Sequence, residues 1–193
     1  MLTSEPSPLL FDRYLALLGQ WNQTHALTSL APADRYEELI LDASILLPHL
    51  ETVPAGSHVV DFGSGAGIPA IVLAILRPDL RITALDAAQK KTIFIQQVIL
   101  ELKLANVEAL HGRAELIPSL HASVGVAKAV GSPRLLASWM DRHTVPGGFF
   151  LALKSQDWMH EEHSAHWSCT PHPYQLPTRG SRVVLRMDPV RPV

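Results

Sequence analysis

One glycine-rich segment constrains the fold more than any other part of the chain. It reads Val59-Val60-Asp61-Phe62-Gly63-Ser64-Gly65-Ala66-Gly67-Ile68-Pro69, in which an apolar run reaches an acid, three glycines follow at alternate positions, and an apolar helical pattern begins at Ile68. This order predicts a β-strand, a tight turn and an α-helix. Glycines let the backbone bend sharply and let a ligand approach it, and a helix start offers free N–H groups. We therefore expect a small ligand at this turn.

The spacing of the glycines restricts which ligand the turn can hold. A dinucleotide fingerprint needs Gly-x-Gly-x-x-Gly, and Ile68 stands where its third glycine would be. The Gly-Lys-Ser or Gly-Lys-Thr of a nucleoside triphosphate loop is missing from the segment. The pattern Asp-x-Gly-x-Gly-x-Gly instead resembles that of S-adenosylmethionine (SAM) methyltransferases. Asp86 ends a second predicted strand 25 residues after Asp61, where an acid in such folds accepts hydrogen bonds from a ribose.

Length and composition favour one domain with one core. The chain has 193 residues, of which 47% are hydrophobic, and a domain usually takes about 100–200 residues. We predict a single domain over 1–193, with a helical N-terminal lead (1–56) and an α/β core that ends in a C-terminal hairpin (57–193). The lone Cys169 excludes an internal disulfide framework. Because the sequence shows neither a signal-like start nor an apolar run of about 18 residues, we expect a cytoplasmic protein, with a monomer slightly favoured.

The net charge of −2 is unevenly distributed. Residues 1–56 contain two basic and seven acidic side chains, whereas the remainder contains 14 basic and 11 acidic ones. A nucleic-acid ligand would therefore meet the C-terminal part. Four arginines stand there: Arg179, Arg182, Arg186 and Arg191. A solvated surface is the more common reason for such a cluster.

Two helices are predicted before the glycine-rich segment. The first begins at the Ser7-Pro8 cap. The second begins near Pro32 or Asp34 and ends before Pro48, because proline cannot continue a helix. Its spacing turns five apolar residues inward: Tyr36, Leu39, Ile40, Ala43 and Leu47.

Strands and helices then alternate, which predicts a parallel sheet with helices on both faces. A helix over 88–102 has an apolar side that includes Ile93, and strands follow at 107–110, 124–130 and 149–153. Another helix runs from a Ser132-Pro133 cap to about Arg142. The tail is irregular and proline-rich before Arg182–Arg186, which alternates like an antiparallel edge strand. The expected fold is α/β and Rossmann-like: a mostly parallel seven-stranded SAM-methyltransferase sheet preceded by two N-terminal helices.

Short motifs run through nearly the whole chain in a fixed order. They are Trp21-Asn22, Leu27-Thr28, Ile40-Leu41-Asp42, the glycine-rich segment, Arg77-Pro78, Leu85-Asp86, Lys90-Lys91, Asn106-Val107-Glu108, Ala114-Glu115, Ala129-Val130, Pro146-Gly147-Gly148 and Ala152-Leu153-Lys154. With these motifs the chain resembles the bacterial 16S ribosomal RNA guanine-N7 methyltransferases, also called the glucose-inhibited division protein B family. The resemblance implies SAM as cofactor and ribosomal RNA or the small ribosomal subunit as partner.

The resemblance also implies cofactor contacts. Gly63 and Ile68 act through the loop, Ala114-Glu115 lie at the adenine end, and Lys128 ends the fourth strand where the family carries arginine. Lys128 would contact cofactor or substrate. For Asp61 two roles stay open, namely contact with the cofactor amino group or acceptance of backbone N–H bonds from the loop. The predicted cofactor-binding set is Asp61, Gly63, Ser64, Gly65, Gly67, Ile68, Asp86, Ala114, Glu115 and Lys128. Guanine N7 has an exposed lone pair, so no catalytic base is expected and alignment supplies the rate.

Three positions in the N-terminal lead depart from the family. Ala26, Leu39 and Ala43 replace an asparagine, a histidine and a serine. This change suggests that a polar patch on the substrate side has become apolar. Three alternatives therefore stay open: a methyltransferase of another RNA, a methyltransferase of a small molecule, and a SAM-binding module without turnover.

Five potential metal ligands recur every three residues near the C-terminus: His160, His163, His166, Cys169 and His172. On an α-helix a period of three drifts around the axis, so the five residues cannot share one face. Their spacing matches none of the usual zinc patterns. We predict no metal site and a solvated loop here.

Overall fold

A seven-stranded sheet forms the centre of the computed structural model, which describes residues 7–190. The strands are β1 (His58–Phe62), β2 (Arg81–Asp86), β3 (Val107–His111), β4 (Ala122–Lys128), β5 (Thr144–Lys154), β6 (Trp167–Leu176) and β7 (Gly180–Pro189). Their spatial order is β3-β2-β1-β4-β5-β7-β6. Strands β1 to β5 pair in parallel, and β7 is antiparallel to both β5 and β6. The predicted mostly parallel sheet is therefore confirmed.

Helices cover both faces of this sheet. They are α1 (Ser7–His25), α2 (Asp42–Ser44), α3 (Leu47–Leu50), α4 (Ala70–Leu76), α5 (Gln89–Leu102) and α6 (Pro133–His143). One face packs against the N-terminal lead, α4 and α5, and the other packs against α6. Adjacent residues of β1 show the alternation, since Val59 belongs to the first core and Val60 to the second. Within residues 7–190, none of the helices combines the length and the apolar character needed to cross a bilayer.

The second predicted helix is divided into short pieces. A 3₁₀ turn (Pro32–Asp34) and a π-helical segment (Tyr36–Leu41) precede α2 and α3. Pro48 lies inside α3 rather than beyond the helix, because it occupies a first-turn position where its missing N–H needs no partner. Tyr36 was predicted to face inward but is 44% exposed. The reason is that i→i+5 bonding changes the rotation between successive side chains.

The C-terminal hairpin also differs from its prediction. The proline-rich stretch forms the outer strand β6, and Arg182–Arg186 lies in the inner strand β7. Pro171 and Pro173 are tolerated in β6 because an edge strand needs ladder hydrogen bonds on one side only. The fourth strand was predicted over 124–130 but covers Ala122–Lys128. It ends there because Ala129 leaves the extended conformation and takes φ 54°. Ile93, predicted on the apolar side of α5, is 45% exposed.

Candidate active site

The glycine-rich turn connects the carboxyl end of β1 to α4. Gly63, Gly65 and Gly67 have φ values of 73°, 62° and 89°, in the region that favours glycine. A Cβ on Gly63 would lie 2.9 Å from Cγ2 of Val130. At Gly65 a Cβ would meet only the Gly63 carbonyl, at 3.9 Å. Packing within the protein therefore requires glycine at Gly63, whereas the space beside Gly65 is open to a ligand.

The helix behind this turn begins later than its apolar pattern predicted. It starts at Ala70 rather than at Ile68, after a cis peptide between Ile68 and Pro69. The Ala70 N–H points to a carboxylate oxygen of Asp61. This N–H is therefore already bonded and is not offered to a ligand.

Asp61 is fully buried at the end of β1. Its Oδ2 accepts hydrogen bonds from the Ser64 hydroxyl at 2.5 Å and from the Ala70 N–H at 3.0 Å. Burial raises the pKa of this carboxyl to about 7, and the two hydrogen bonds oppose that rise. Its Oδ1 has no partner among the described residues. The loop-bonding role of Asp61 is therefore present, and Ser64, which is 1% exposed, turns its side chain to the same task.

Asp86 fastens the turn from the neighbouring strand β2. Its Oδ2 accepts the Gly65 N–H at 2.8 Å, and its Oδ1 accepts the Ala88 N–H at 2.8 Å. Lys91 Nζ lies 3.7 Å from Oδ2. Because each carboxylate oxygen can accept two hydrogen bonds, Asp86 keeps capacity for a ligand hydroxyl.

A cavity of about 130 Å³ opens beside this turn, and we call it the turn cavity. Its lining residues are Gly63, Leu85, Asp86, Ala87, Gly112, Arg113, Ala114, Glu115 and Trp139. The structure thus brings together three predicted parts of the chain that are distant in sequence: Gly63, Asp86 and the pair Ala114-Glu115. Trp139 was not predicted, because an apolar position on a helix is typical of core packing.

Glu115 and Ala114 are held from α6. The Trp139 indole N–H donates to Glu115 Oε1 at 2.8 Å. Hydrogen bonds from the backbone N–H of Glu115 and from Trp139 lower the pKa of this carboxyl. The buried His143 accepts the Leu120 N–H at Nδ1, so the proton lies on Nε2, 2.7 Å from the Ala114 carbonyl. Burial lowers the pKa of His143, which favours this neutral form.

A second, larger cavity has a volume of about 580 Å³. Val130 lines this cavity and lies beside Gly63, which lines the turn cavity. The walls of the larger cavity carry three basic and three acidic side chains. The basic ones are Lys128, Lys154 and Arg182, and the acidic ones are Asp42, Glu161 and Glu162. We call it the acceptor cavity. Its formal charges balance, which favours a neutral ligand over an anionic one.

Lys128 lies on the acceptor cavity and not on the turn cavity. Its ammonium contacts the Asp42 carboxylate and lies 3.8 Å from Oε2 of Glu38. The Tyr174 hydroxyl donates to Asp42 Oδ1 at 2.5 Å. Lys128 therefore joins the sheet to the N-terminal lead. Asp42, Glu38 and Tyr174 were absent from the predicted site because they lie far from Lys128 in sequence.

Lys154 holds the loop that follows β4. It is 8% exposed, and its ammonium donates to the Gly131 carbonyl and to Oε2 of Glu161, the latter at 2.6 Å. Gly131 follows Val130 directly. Lys154 thereby fixes the loop that carries Val130 on the wall of the acceptor cavity.

Two of the three changed positions of the N-terminal lead are buried in the core. Leu39 and Ala43 are 6% and 0% exposed and belong to the main core. The interpretation of an apolar patch on the substrate side is therefore wrong for these two, since core packing accounts for their apolar character. Ala26 is exposed and takes φ 46° directly after α1.

Three of the four C-terminal arginines are paired with acidic side chains of the protein. Arg179 contacts the Asp34 carboxylate and lies 3.4 Å from Oε1 of Glu38, which Arg182 reaches at 3.0 Å. Arg186 pairs with Asp188 at 2.8 Å, and Arg191 lies outside the described residues. The acidic lead thus neutralises Arg179 and Arg182, for which a solvated surface was the favoured interpretation and a nucleic-acid contact the alternative.

The histidine-rich stretch is not one loop. Cys169 and His172 lie on β6, where His172 packs edge-on against His49 with ring centroids 4.7 Å apart. The predicted solvated loop is wrong for these two residues, because β6 extends the sheet. Among residues 7–190, no three His, Cys, Asp or Glu side chains form a potential metal site.

Comparison with solved structures identifies the fold. The crystal structure of a SAM dependent methyltransferase from Aquifex aeolicus superposes with a TM-score of 0.61 and 15% identity, covering 80% of this chain and 92% of that one. This likeness shows the fold of the SAM-dependent methyltransferases.

Comparison with curated sequences then defines the family. Residues 9–179 match the family described as rRNA small subunit methyltransferase G. The ribosomal RNA small subunit methyltransferase G of Neisseria meningitidis is 39% identical over 142 residues, which cover 73% of this chain and 67% of the relative. The protein of that name from Methylobacillus flagellatus is 41% identical over 145 residues, covering 74% and 69%. The chain belongs to this family of SAM-dependent enzymes.

Proposed function

We propose that this protein transfers a methyl group from SAM to N7 of a guanine in small-subunit ribosomal RNA. One geometric observation carries the proposal beyond family membership: Gly63, on the wall of the turn cavity, lies beside Val130, on the wall of the acceptor cavity. A cofactor in the first and a base in the second would stand side by side, as an in-line methyl transfer requires.

We assign the adenosine end of SAM to the turn cavity, which is too small for the whole cofactor, and its sulfonium amino acid to the glycine turn. Asp86 fits a ribose for two reasons. Two backbone N–H groups hold its carboxylate in place, and its oxygens can still accept further hydrogen bonds from ribose hydroxyls. Gly63 lines this cavity, and the turn keeps its shape only with glycine there, because a Cβ would lie 2.9 Å from Val130. Ala114 and Glu115 would bound the adenine end. Bound SAM supplies an electrophilic methyl group on a sulfonium.

The remaining predicted residues act on the shape of the turn. Asp61 and Ser64 bond to each other, and Asp61 holds the Ala70 N–H. Gly67 avoids Ile71, because a Cβ at 67 would lie 2.8 Å from its Cγ1. Ile68 is 6% exposed and packs in the core. These four residues would therefore keep the turn rigid for the cofactor, while Gly65 leaves space for it.

The acceptor cavity suits a flipped-out base. Its volume lies in the range of about 300–1,000 Å³ that is usual for ligand pockets. Enzymes that modify a base commonly move it out of the stack into such a pocket. The balanced charges on the cavity walls favour a neutral heterocycle. Lys128 and Lys154 would form part of the wall around this base. Because guanine N7 attacks through its own lone pair, the site needs no general base.

We propose that the protein acts as a monomer. We further propose that the protein acts in the cytoplasm, where small ribosomal subunits are found. Comparing assembled subunits with free RNA as methyl acceptors shows which of the two is the substrate.

The test is methyl transfer from radiolabelled SAM by the purified protein. Small subunits that lack the modification, RNA extracted from them, and large subunits are compared as acceptors. We expect label in small-subunit RNA, recovered as 7-methylguanosine after digestion. Gly65→Val should abolish transfer, whereas Gly56→Val, at a glycine of similar φ with open space around it, should retain it. Label on another atom or only in large subunits would refute the proposal.

A further inference from the structure

We propose that Trp139 is a positioning residue, which fixes Glu115 so that its carboxylate recognises the 6-amino group of the cofactor's adenine. The inference rests on the proposed placement of SAM in the turn cavity. Trp139 lines this cavity together with Glu115 and Asp86. Its indole N–H donates to Glu115 Oε1 at 2.8 Å.

The indole is oriented by the core behind it. Its ring stacks on Phe62 at a centroid distance of 5.7 Å and an interplanar angle of 19°. Phe62 is fully buried and directly precedes Gly63. Because one face of the indole rests on this fixed ring, its N–H has a defined direction toward Glu115.

The neighbouring residue is held from the same helix. His143, also on α6, donates from Nε2 to the Ala114 carbonyl, and its ring lies 5.5 Å from that of Phe62. The backbone of Ala114 and the side chain of Glu115 are therefore both tied to α6. A glutamate that only keeps the surface soluble needs no such fixed position. The two hydrogen bonds from α6 therefore indicate that Glu115 binds a ligand in the turn cavity.

The chemistry of the carboxylate identifies what it recognises. Hydrogen bonds from its own backbone N–H and from Trp139 lower the pKa of Glu115, so the ionised group only accepts. The 6-amino group of adenine donates, whereas the 6-oxo group of hypoxanthine is itself an acceptor. A fixed carboxylate would therefore bind adenosine and reject inosine, and a mobile one would do so less.

The decisive variant is Trp139→Phe. Phenylalanine keeps a ring on Phe62 but removes the N–H donor, so core packing and positioning are separated. Trp158 is the control, because it packs edge-on against His163 and lines neither cavity. Calorimetry would give dissociation constants of each variant for S-adenosylhomocysteine and for S-inosylhomocysteine.

We expect the wild type and Trp158→Phe to bind S-adenosylhomocysteine at least about tenfold more tightly than S-inosylhomocysteine. This factor corresponds to the loss of one hydrogen bond to a charged group. In Trp139→Phe the preference should fall to about threefold or less, and Trp139→His, which retains a ring N–H, should restore part of it. Glu115→Ala should lose the preference, and adding Trp139→Phe to it should change nothing further.

Several results would overturn the inference. A Trp139→Phe protein with an unchanged melting temperature and an unchanged preference would make Trp139 a packing residue only. Additive effects in the Glu115→Ala background would show that Trp139 does not act through Glu115. If Trp139→Phe does not fold, a Glu115→Ala protein that keeps the full preference refutes the idea alone. Failure of the wild type to bind S-adenosylhomocysteine would instead contradict the proposed function.

Discussion

Replacing Lys128 with alanine is expected to destabilise the protein, although the residue ends a strand beside a cavity. Its ammonium contacts the carboxylate of Asp42, which is 1% exposed. Removing the cation leaves that carboxylate buried, with the Tyr174 hydroxyl as its remaining hydrogen-bond donor. Breaking a buried pair from one side costs about 3–5 kcal/mol. Because the Lys128 side chain is 15% exposed and Tyr174 remains, we expect the lower end, about 3 kcal/mol.

Thermal unfolding measures this cost. For a chain of this length each 1 kcal/mol shifts the melting temperature by about 2–4 °C, so Lys128→Ala should lower it by about 6–12 °C. The control is Arg134→Ala, which removes an ion pair to Glu162 whose side chains are 68% and 73% exposed. Such a surface pair is worth about 0–1 kcal/mol. Lys128→Arg keeps the charge and should stay close to the wild type.

A double variant shows whether the carboxylate causes the loss. Asp42→Asn removes the buried charge, so Lys128→Ala should cost much less in that background, with a coupling energy of about 1–3 kcal/mol. A Lys128→Ala protein that melts within 2 °C of the wild type would refute the reasoning, because water would then solvate Asp42. Turnover measured well below the melting transition separates this stability effect from any contact with substrate.

Of three further predictions, two concern backbone strain and the third concerns the buried acid Asp61. Gly63→Ala should weaken SAM binding and lower the melting temperature more than Gly56→Ala, since both glycines have positive φ but only the first Cβ would meet Val130; equal losses would contradict this. Ala26→Asn should raise stability by about 0.5–1 kcal/mol, because asparagine tolerates left-handed backbone better than alanine, and unchanged denaturant midpoints would count against it. Because the folded pKa of Asp61 is raised to about 7, its contribution to stability should fall as pH rises from about 4 to about 7. Asp61→Asn should remove this decline, and parallel stability curves for the two proteins would argue against it.

The sheet and the turn could be predicted because their signals are local. The acid and alternate glycines of the turn stand next to the strand and the helix that they join, and Ser132-Pro133 marks a helix start directly. The structure confirms that cap, where the Ser132 hydroxyl accepts the Leu135 N–H. Asp86 could be placed because parallel strands end at the same edge of a sheet.

The long-range pairs could not be predicted. Lys128 and Asp42 are 86 residues apart, and Trp139 and Glu115 are 24 apart. Neither pair has a periodic signal, since each depends on how helices pack on the sheet. Alone in the sequence, Lys128 resembles a free cation and Trp139 a core residue. The edge position of β6 was also hidden, because prolines are ordinarily evidence against a strand.

Methylation of guanine N7 in small-subunit ribosomal RNA is tested most directly by mass mapping of modified nucleosides. The RNA comes from cells with and without the protein, and from deletion cells that express the wild type or Gly65→Val. We predict that one 7-methylguanosine disappears on deletion, returns with the wild type and does not return with Gly65→Val. An unchanged set of modified nucleosides after deletion would contradict the proposed function.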